Sequence, residues 1–259
     1  MTSDQVKAMA QRLRLFGVHA CLERRAEQAL KDNLHPLEFL HLVLDDENLQ
    51  RKDRLAKSLL TRAKFRVQAD LEDWDMSFDR GITKQKLRDL GALNFYQAKQ
   101  NLIILGSTGE GKTHMAVSLG RRLCRENLSA IFLPINFMFE EVHAARAAGK
   151  YLGYIKRLSQ AKVLIMDDFG LRNYTHDEAT VLVDILEDRT QKGPVIVTSQ
   201  VDPKGWTKLF EDPVIAEAFV DRVINPSQKI LLKGGTYRDK LQVKLPSGAK
   251  EVAGLGAVQ

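Results

Sequence analysis

Residues 101–116 read NLIILGSTGEGKTHMA, and no other stretch limits the fold so tightly. A five-residue apolar run stops at a glycine-rich octet, and helix-forming residues follow directly. GSTGEGKT fits the pattern G-x-x-x-x-G-K-[ST] in full, in the strand–loop–helix context that the pattern needs. Glycines let the backbone curl so that successive N–H groups face one anion at a helix N-terminus. Gly106, Ser107, Thr108, Gly109, Glu110, Gly111, Lys112, Thr113 and His114 are therefore expected to hold a nucleoside triphosphate, ATP being the first candidate. Lys112 would reach the β- and γ-phosphates, and the Thr113 hydroxyl would ligate Mg²⁺.

A second motif supplies the expected partner for the metal. VLIMDDFG, residues 163–170, is an apolar strand ending in two carboxylates. Asp167 is expected to bind Mg²⁺, directly or through water, and Asp168 to orient or deprotonate the attacking water. The triplet Asp168-Phe169-Gly170 also spells the protein-kinase metal motif. No H-R-D-x-x-x-x-N precedes it and the glycine loop has the other spacing, so a protein kinase is excluded.

The surrounding rhythm predicts an α/β fold. Short apolar runs at 101–105, 129–134, 162–167, 194–199 and 229–233 alternate with helical stretches at 112–126, 137–148, 177–191 and 213–224. Runs this short, rich in Val and Ile and apolar on both faces, suit buried parallel strands joined by crossover helices. Five such strands give a doubly wound parallel sheet. Residues 1–66 read as helix throughout, with Leu37, Leu40, Leu44, Leu55 and Leu59 at mostly three- and four-residue steps. The expected organisation is a small all-helical N-terminal domain (1–66), a linker (67–81), the nucleotide domain (82–242) and a flexible tail (243–259).

Charge adds a partner class. The net charge is +6, and residues 51–66 hold seven basic residues and one acidic one, so the remainder of the chain sums to zero. A concentrated basic patch on a balanced protein suggests a polyanion. Two cysteines exclude a disulfide framework and a thiolate zinc site. With neither a signal-peptide pattern nor an 18-residue apolar run, the chain reads as cytoplasmic, with no membrane partner.

Several stretches resemble one family. LRLFGVHACLERRAEQA, ADLEDWDMSFDRGI, GSTGEGKTHMA, LIMDDFGLR, VIVTSQ followed by Trp206, and DPVIAEAFVDRVIN with ILLKGGTYR occur in the order seen in IstB-like proteins. These are ATP-binding transposition helpers of insertion sequences, close to the DnaC-type helicase loaders, and the similarity spans roughly residues 10–240. The resemblance implies a P-loop AAA+ ATPase that forms a homo-oligomer, ring or spiral, with ATP at subunit interfaces. It implies that Gln200 is a sensor of the γ-phosphate or the water, that Arg222 is an arginine finger acting on the neighbouring subunit, and that Arg238 is a second sensor. Most members of that wider class carry glutamate after the metal aspartate. The shorter Asp168 here leads us to expect slow hydrolysis.

The resemblance further implies duplex DNA and the transposase of the same insertion sequence as partners. DNA would be bound with little sequence preference, and bending would follow if the subunits form a spiral. In this branch the region between the second and third strands carries an extra helix facing nucleic acid. Here residues 140–162 supply His143, Arg146, Lys150, Lys156 and Arg157 with Tyr151 and Tyr154 between them, suited to phosphate contacts. An ordinary amphipathic helix with packed tyrosines fits the same residues. The rival functions are a replicative helicase loader with the same motor, a small-molecule kinase, and a non-catalytic DNA-binding scaffold.

Overall fold

The computed structural model describes residues 2–189 and 192–237. Five parallel strands form one sheet: β1 (Asn101–Leu105), β2 (Ala130–Pro134), β3 (Val163–Phe169), β4 (Val195–Ser199) and β5 (Ser227–Leu231), in the order β2-β3-β4-β1-β5. β4 is thus inserted between the strand that leads into the phosphate loop and the strand that ends in the paired aspartates. The parallel sheet expected from the apolar runs is present. β5 lies two residues earlier than the run at 229–233, because as an edge strand it carries polar Ser227, Gln228 and Lys229. The chain leaves the sheet at Lys233, whose N–H donates to Arg80 O at 2.9 Å.

The described chain opens with α1 (Ser3–Arg12), α2 (Phe16–Lys31) and α3 (Pro36–Arg62). Pro36 opens α3 at a position where its missing N–H costs nothing. Glu47 on α3 caps α2 from outside, accepting from Gly17 N at 2.6 Å and Val18 N at 3.2 Å. The end of α3 lies on the sheet: Leu59 and Ala63 pack with Cys124 and Ala130, and Phe132 N donates to Ala63 O at 3.1 Å. Residues 67–81, expected as a linker, include buried Ala69, Trp74 and Arg80. Trp74 and Ala69 belong to the same apolar cluster as Met115 and Leu119.

Two short helices, α4 (Lys84–Gly91) and α5 (Asn94–Gln97), lead into β1, and α6 (Lys112–Arg125) follows the phosphate loop. α6 covers one face of the sheet through Met115, Leu119 and Leu123. The other face is covered by α7 (Ile135–Ala147), α8 (Tyr151–Gln160), α9 (His176–Arg189) and α10 (Pro213–Ile224). Gly149, at φ +64°, breaks α7 from α8 as its position in the sequence suggests. Phe169 at the end of β3 stacks on Phe219 of α10 at 5.0 Å and 10°, and also contacts Trp206 and Tyr174. That aromatic cluster fixes the end of the aspartate strand.

The far end of the sheet is stitched by one side chain. Asn101 is buried; its amide donates to Arg222 O at 3.0 Å and Val223 O at 3.1 Å, and its carbonyl accepts from Val195 N at 2.9 Å. Asn101→Leu would leave three buried backbone groups unpaired, at about 1–3 kcal/mol for each group that water cannot reach. Urea denaturation should report a loss of about 3 kcal/mol with an unchanged m-value; a loss below about 1 kcal/mol would contradict this role.

Candidate nucleotide site

The phosphate loop lies at the carboxyl end of β1, where the N-terminus of α6 opens. Gly109 and Gly111 adopt φ +87° and +95°, which only glycine takes without strain. Each is also hemmed in: a β-carbon on Gly109 would meet the Thr236 hydroxyl at 2.3 Å, and one on Gly111 would meet an Arg80 nitrogen at 3.1 Å. Lys112 is buried and donates from Nζ to Ser107 O at 2.9 Å, folding back over the loop. The Glu110 carboxylate turns into the loop and accepts from Ser107 N at 2.6 Å. Glu110 therefore braces the loop with its side chain.

The paired aspartates owe their placement to a bulge. Adjacent residues of a regular strand face opposite sides of the sheet. Between β3 and β4 the register runs Met166 to Val197 and then Phe169 to Ser199, so Asp167 and Asp168 together oppose Thr198. Asp168 takes φ +59°, a conformation that aspartate tolerates better than most residues. The result is a buried Asp167 and a half-buried Asp168 at the same edge.

Thr198 holds both residues. Its hydroxyl donates to Asp167 Oδ1 at 2.6 Å and accepts from Asp168 N at 2.9 Å. The Thr113 hydroxyl donates to the same carboxylate, at 3.0 Å to Oδ1 and 3.1 Å to Oδ2. Burial raises the Asp167 carboxyl above the ordinary carboxylate range, with the charge of Asp168 adding to it, while the two hydroxyls and Lys112 oppose the rise. Directly after β4, Gln200 accepts from Thr108 Oγ1 at 3.0 Å, which brings the expected sensor onto the loop. The sequence reading missed Thr198: the polar residue inside the apolar run VIVTS was the available signal.

Thr108, Lys112, Thr113, Asp168 and Gln200 line one cavity of about 480 Å³ with Arg80, His114, Leu171 and Tyr237, and Asp167 lies behind Thr113. His114 lies beside the Trp74 ring at 5.7 Å, and burial with the neighbouring Arg80 charge lowers its pKa below the ordinary value. A hydroxyl and a carboxylate in direct contact, both oxygen donors, fit a small hard cation such as Mg²⁺. The described chain ends at Tyr237, whose N–H donates to Gly109 O at 3.0 Å; Arg238 lies outside the described residues, as does the tail at 243–259.

Arg222 lies elsewhere. It sits on α10 beside Asn101, the first residue of β1, whereas the phosphate loop follows the last. Its guanidinium donates to Ala218 O at 3.0 Å and pairs with Glu187 at 3.4 Å. Of the nucleic-acid candidates, Arg146 pairs with Asp177 and lies over Tyr151, while Arg157 pairs with Glu141 at 3.1 Å and lies over Tyr154. Both tyrosines pack on the core, and His143, Lys150 and Lys156 are exposed.

A phosphate loop at the end of one strand, an aspartate strand and a third strand inserted between them define a P-loop nucleotide-binding fold. The chain belongs to the IstB-like ATP-binding protein family, whose model matches residues 8–245. An insertion-sequence ATP-binding protein of Mycobacterium tuberculosis is 35% identical over 229 residues, covering 88% of this chain and 91% of its own length. The ATP-binding protein of insertion sequence IS21 from Pseudomonas aeruginosa is 31% identical over 236 residues, covering 91% and 89%. The crystal structure of DnaI superposes with a TM-score of 0.55 at 19% identity, covering 68% of this chain and 94% of that one. No helix among the described residues is long and apolar enough to cross a membrane.

The raised pKa of Asp167 has a stability consequence. A carboxyl whose folded value exceeds its unfolded one binds its proton more tightly in the native state. Folding therefore weakens as pH rises through that window, and the penalty is fully present above it. Asp167→Asn keeps an oxygen to accept from Thr113 and Thr198 and removes the buried charge. The nucleotide-free variant should melt higher than the parent at pH 7, by roughly 3 °C for a stabilisation near 1 kcal/mol. The gap should close as pH falls towards about 4. A variant that melts lower at pH 7 would contradict the assignment.

Proposed function

We propose that this protein is a magnesium-dependent ATPase that assembles on duplex DNA and delivers it to the transposase of its insertion sequence. The insertion-sequence names of its relatives support the biological setting. One observation carries the mechanism: Arg222 and the phosphate loop stand at opposite ends of the same strand. A five-residue strand spans about 16 Å, beyond the reach of an arginine side chain from α10. The guanidinium therefore completes a site only on another copy of the chain.

In each site the loop amides and Lys112 hold the phosphates. Thr113 and Asp167 would hold Mg²⁺, which when bound neutralises charge on the phosphate oxygens. Thr198 keeps Asp167 in position and fixes the backbone of Asp168, whose carboxylate orients the attacking water. Gln200 senses the γ-phosphate from the tip of β4. Arg222 of the adjacent copy stabilises the charge that develops in the transition state. Because Asp168 is a methylene shorter than glutamate, hydrolysis is slow and ATP acts mainly as an assembly signal.

DNA is held through its backbone. Exposed Lys150 and Lys156 and the basic half of α3 supply charge for phosphate contacts, and such binding weakens steeply with salt. Arg146 and Arg157 contribute less, since each already has a carboxylate.

Mixing two inactive variants tests the shared site. Arg222→Ala should lower turnover about 10³-fold while leaving ADP affinity within about twofold, and Lys112→Ala should abolish nucleotide binding. A mixture restores hydrolysis, because the first variant supplies the loop and the second supplies the arginine. If the mixture stays at the level of the separate variants, or if Arg222→Ala alone turns over normally, the shared-site reading fails.

A further inference from the structure

Arg80 is a buried cation whose charge the fold itself leaves without a direct ion pair among the described residues. It is 3% exposed, yet among the described residues no carboxylate lies within 4.0 Å of its guanidinium. Its hydrogen bond runs from Nη2 to Asp75 O at 3.1 Å, and its Nε is buried with no partner. Two rings flank it: the guanidinium carbon is 3.5 Å from the Trp74 centroid and 4.7 Å from that of Tyr237. Cation–π contacts offset part of the desolvation of an arginine. Burial lowers the Arg80 pKa, and the nearby Tyr237 and Asp75 groups oppose that shift without cancelling it. A buried guanidinium with no carboxylate in direct contact gains further from an anion that comes within hydrogen-bond reach.

The location indicates what supplies it. Arg80 lines the same cavity as the phosphate loop, and its Nη1 lies against Gly111, the last glycine before α6. Gln200 contacts the loop at Thr108, towards its start. Arg80 therefore stands at the helix end, where the loop amides cradle the α- and β-phosphates, and the carboxylates of the metal strand lie with Thr113. Tyr237 ties this arrangement together: its N–H donates to Gly109 O and its hydroxyl to Asp75 Oδ2 at 3.1 Å.

We propose that Arg80, held between Trp74 and Tyr237, is a phosphate-binding residue that contacts the α/β part of the bound nucleotide. It grips diphosphate and triphosphate alike, so it sets occupancy and leaves γ-phosphate sensing to Gln200 and Arg222. The segment 67–81 is then part of the nucleotide site. This inference rests on the nucleotide reading of the cavity above.

Titrations of ADP, ATP and adenosine into the parent, Arg80→Met and Arg80→Lys test it. Arg80→Met should weaken ADP and ATP by the same factor, about 10–100-fold for one lost charge-assisted contact, and leave adenosine within about twofold. Arg80→Lys should recover part of the loss, and kcat at saturating ATP should change less than KM in both variants. A purely structural arginine would give equal losses for adenosine and ADP, or no loss in either variant; both overturn the proposal. Should Arg80→Met not fold, the Arg80 Nε resonance of the isotope-labelled parent decides: a shift with ADP and none with adenosine supports the contact, and no shift with ADP overturns it. A parent that binds none of the three ligands overturns the nucleotide reading as well. A parent that binds ADP normally while the variants match it overturns the role of Arg80 alone.

Discussion

One buried carboxylate organises the functional end of the sheet. Asp167 accepts hydrogen bonds from Thr113 on α6 and Thr198 on β4 while itself lying on β3, so three elements meet on two oxygens. Burial works against its charge, and the hydroxyls do not fully compensate. A carboxylate kept dry and short of partners is poised to gain stabilisation from a cation. In the proposed function that gain would come from Mg²⁺ bound together with the nucleotide. The insertion of β4 between β1 and β3 makes this possible, since it places Thr198 and Gln200 between the loop and the aspartates.

The bulge at Asp168 deserves the same physical reading. Two adjacent carboxylates on a flat strand would point to opposite faces, and only one could serve the cavity. The extra residue opposite Thr198 turns both towards the loop, with the local twist stabilised by the aromatic stack on Phe169.

The sheet and the loop were legible in the sequence because both are written in local patterns. Short Val- and Ile-rich runs mark buried strands, and GSTGEGKT needs its glycines for backbone reasons that no distant contact alters. The place of Asp167 and Asp168 at a strand end was legible for the same reason, whereas Gln200 was singled out only through the family resemblance. Thr198 was not, because a threonine within a strand is an ordinary β-former, and its role exists only once β3 lies alongside. Residues 67–81 looked like a tether because they are acidic and aperiodic. Their ordering depends on Trp74 and Arg80 packing against Gly111 and on Arg80 packing against Tyr237, which the sequence places 157 positions away. The boundary of β5 shifted for a related reason: its pairing with β1 is fixed by the ladder, while its own side chains are half polar.

With Arg222 at one end of β1 and the phosphate loop at the other, the proposed assembly makes each chain depend on its neighbour. Particle size is the most direct readout of that dependence. It should be measured by light scattering with and without duplex DNA, in ADP, in ATP and in a non-hydrolysable ATP analogue. Growth beyond a small particle is expected when triphosphate and duplex are both present, with the analogue holding the large form and ADP failing to support it. A particle of one chain under every condition would contradict it.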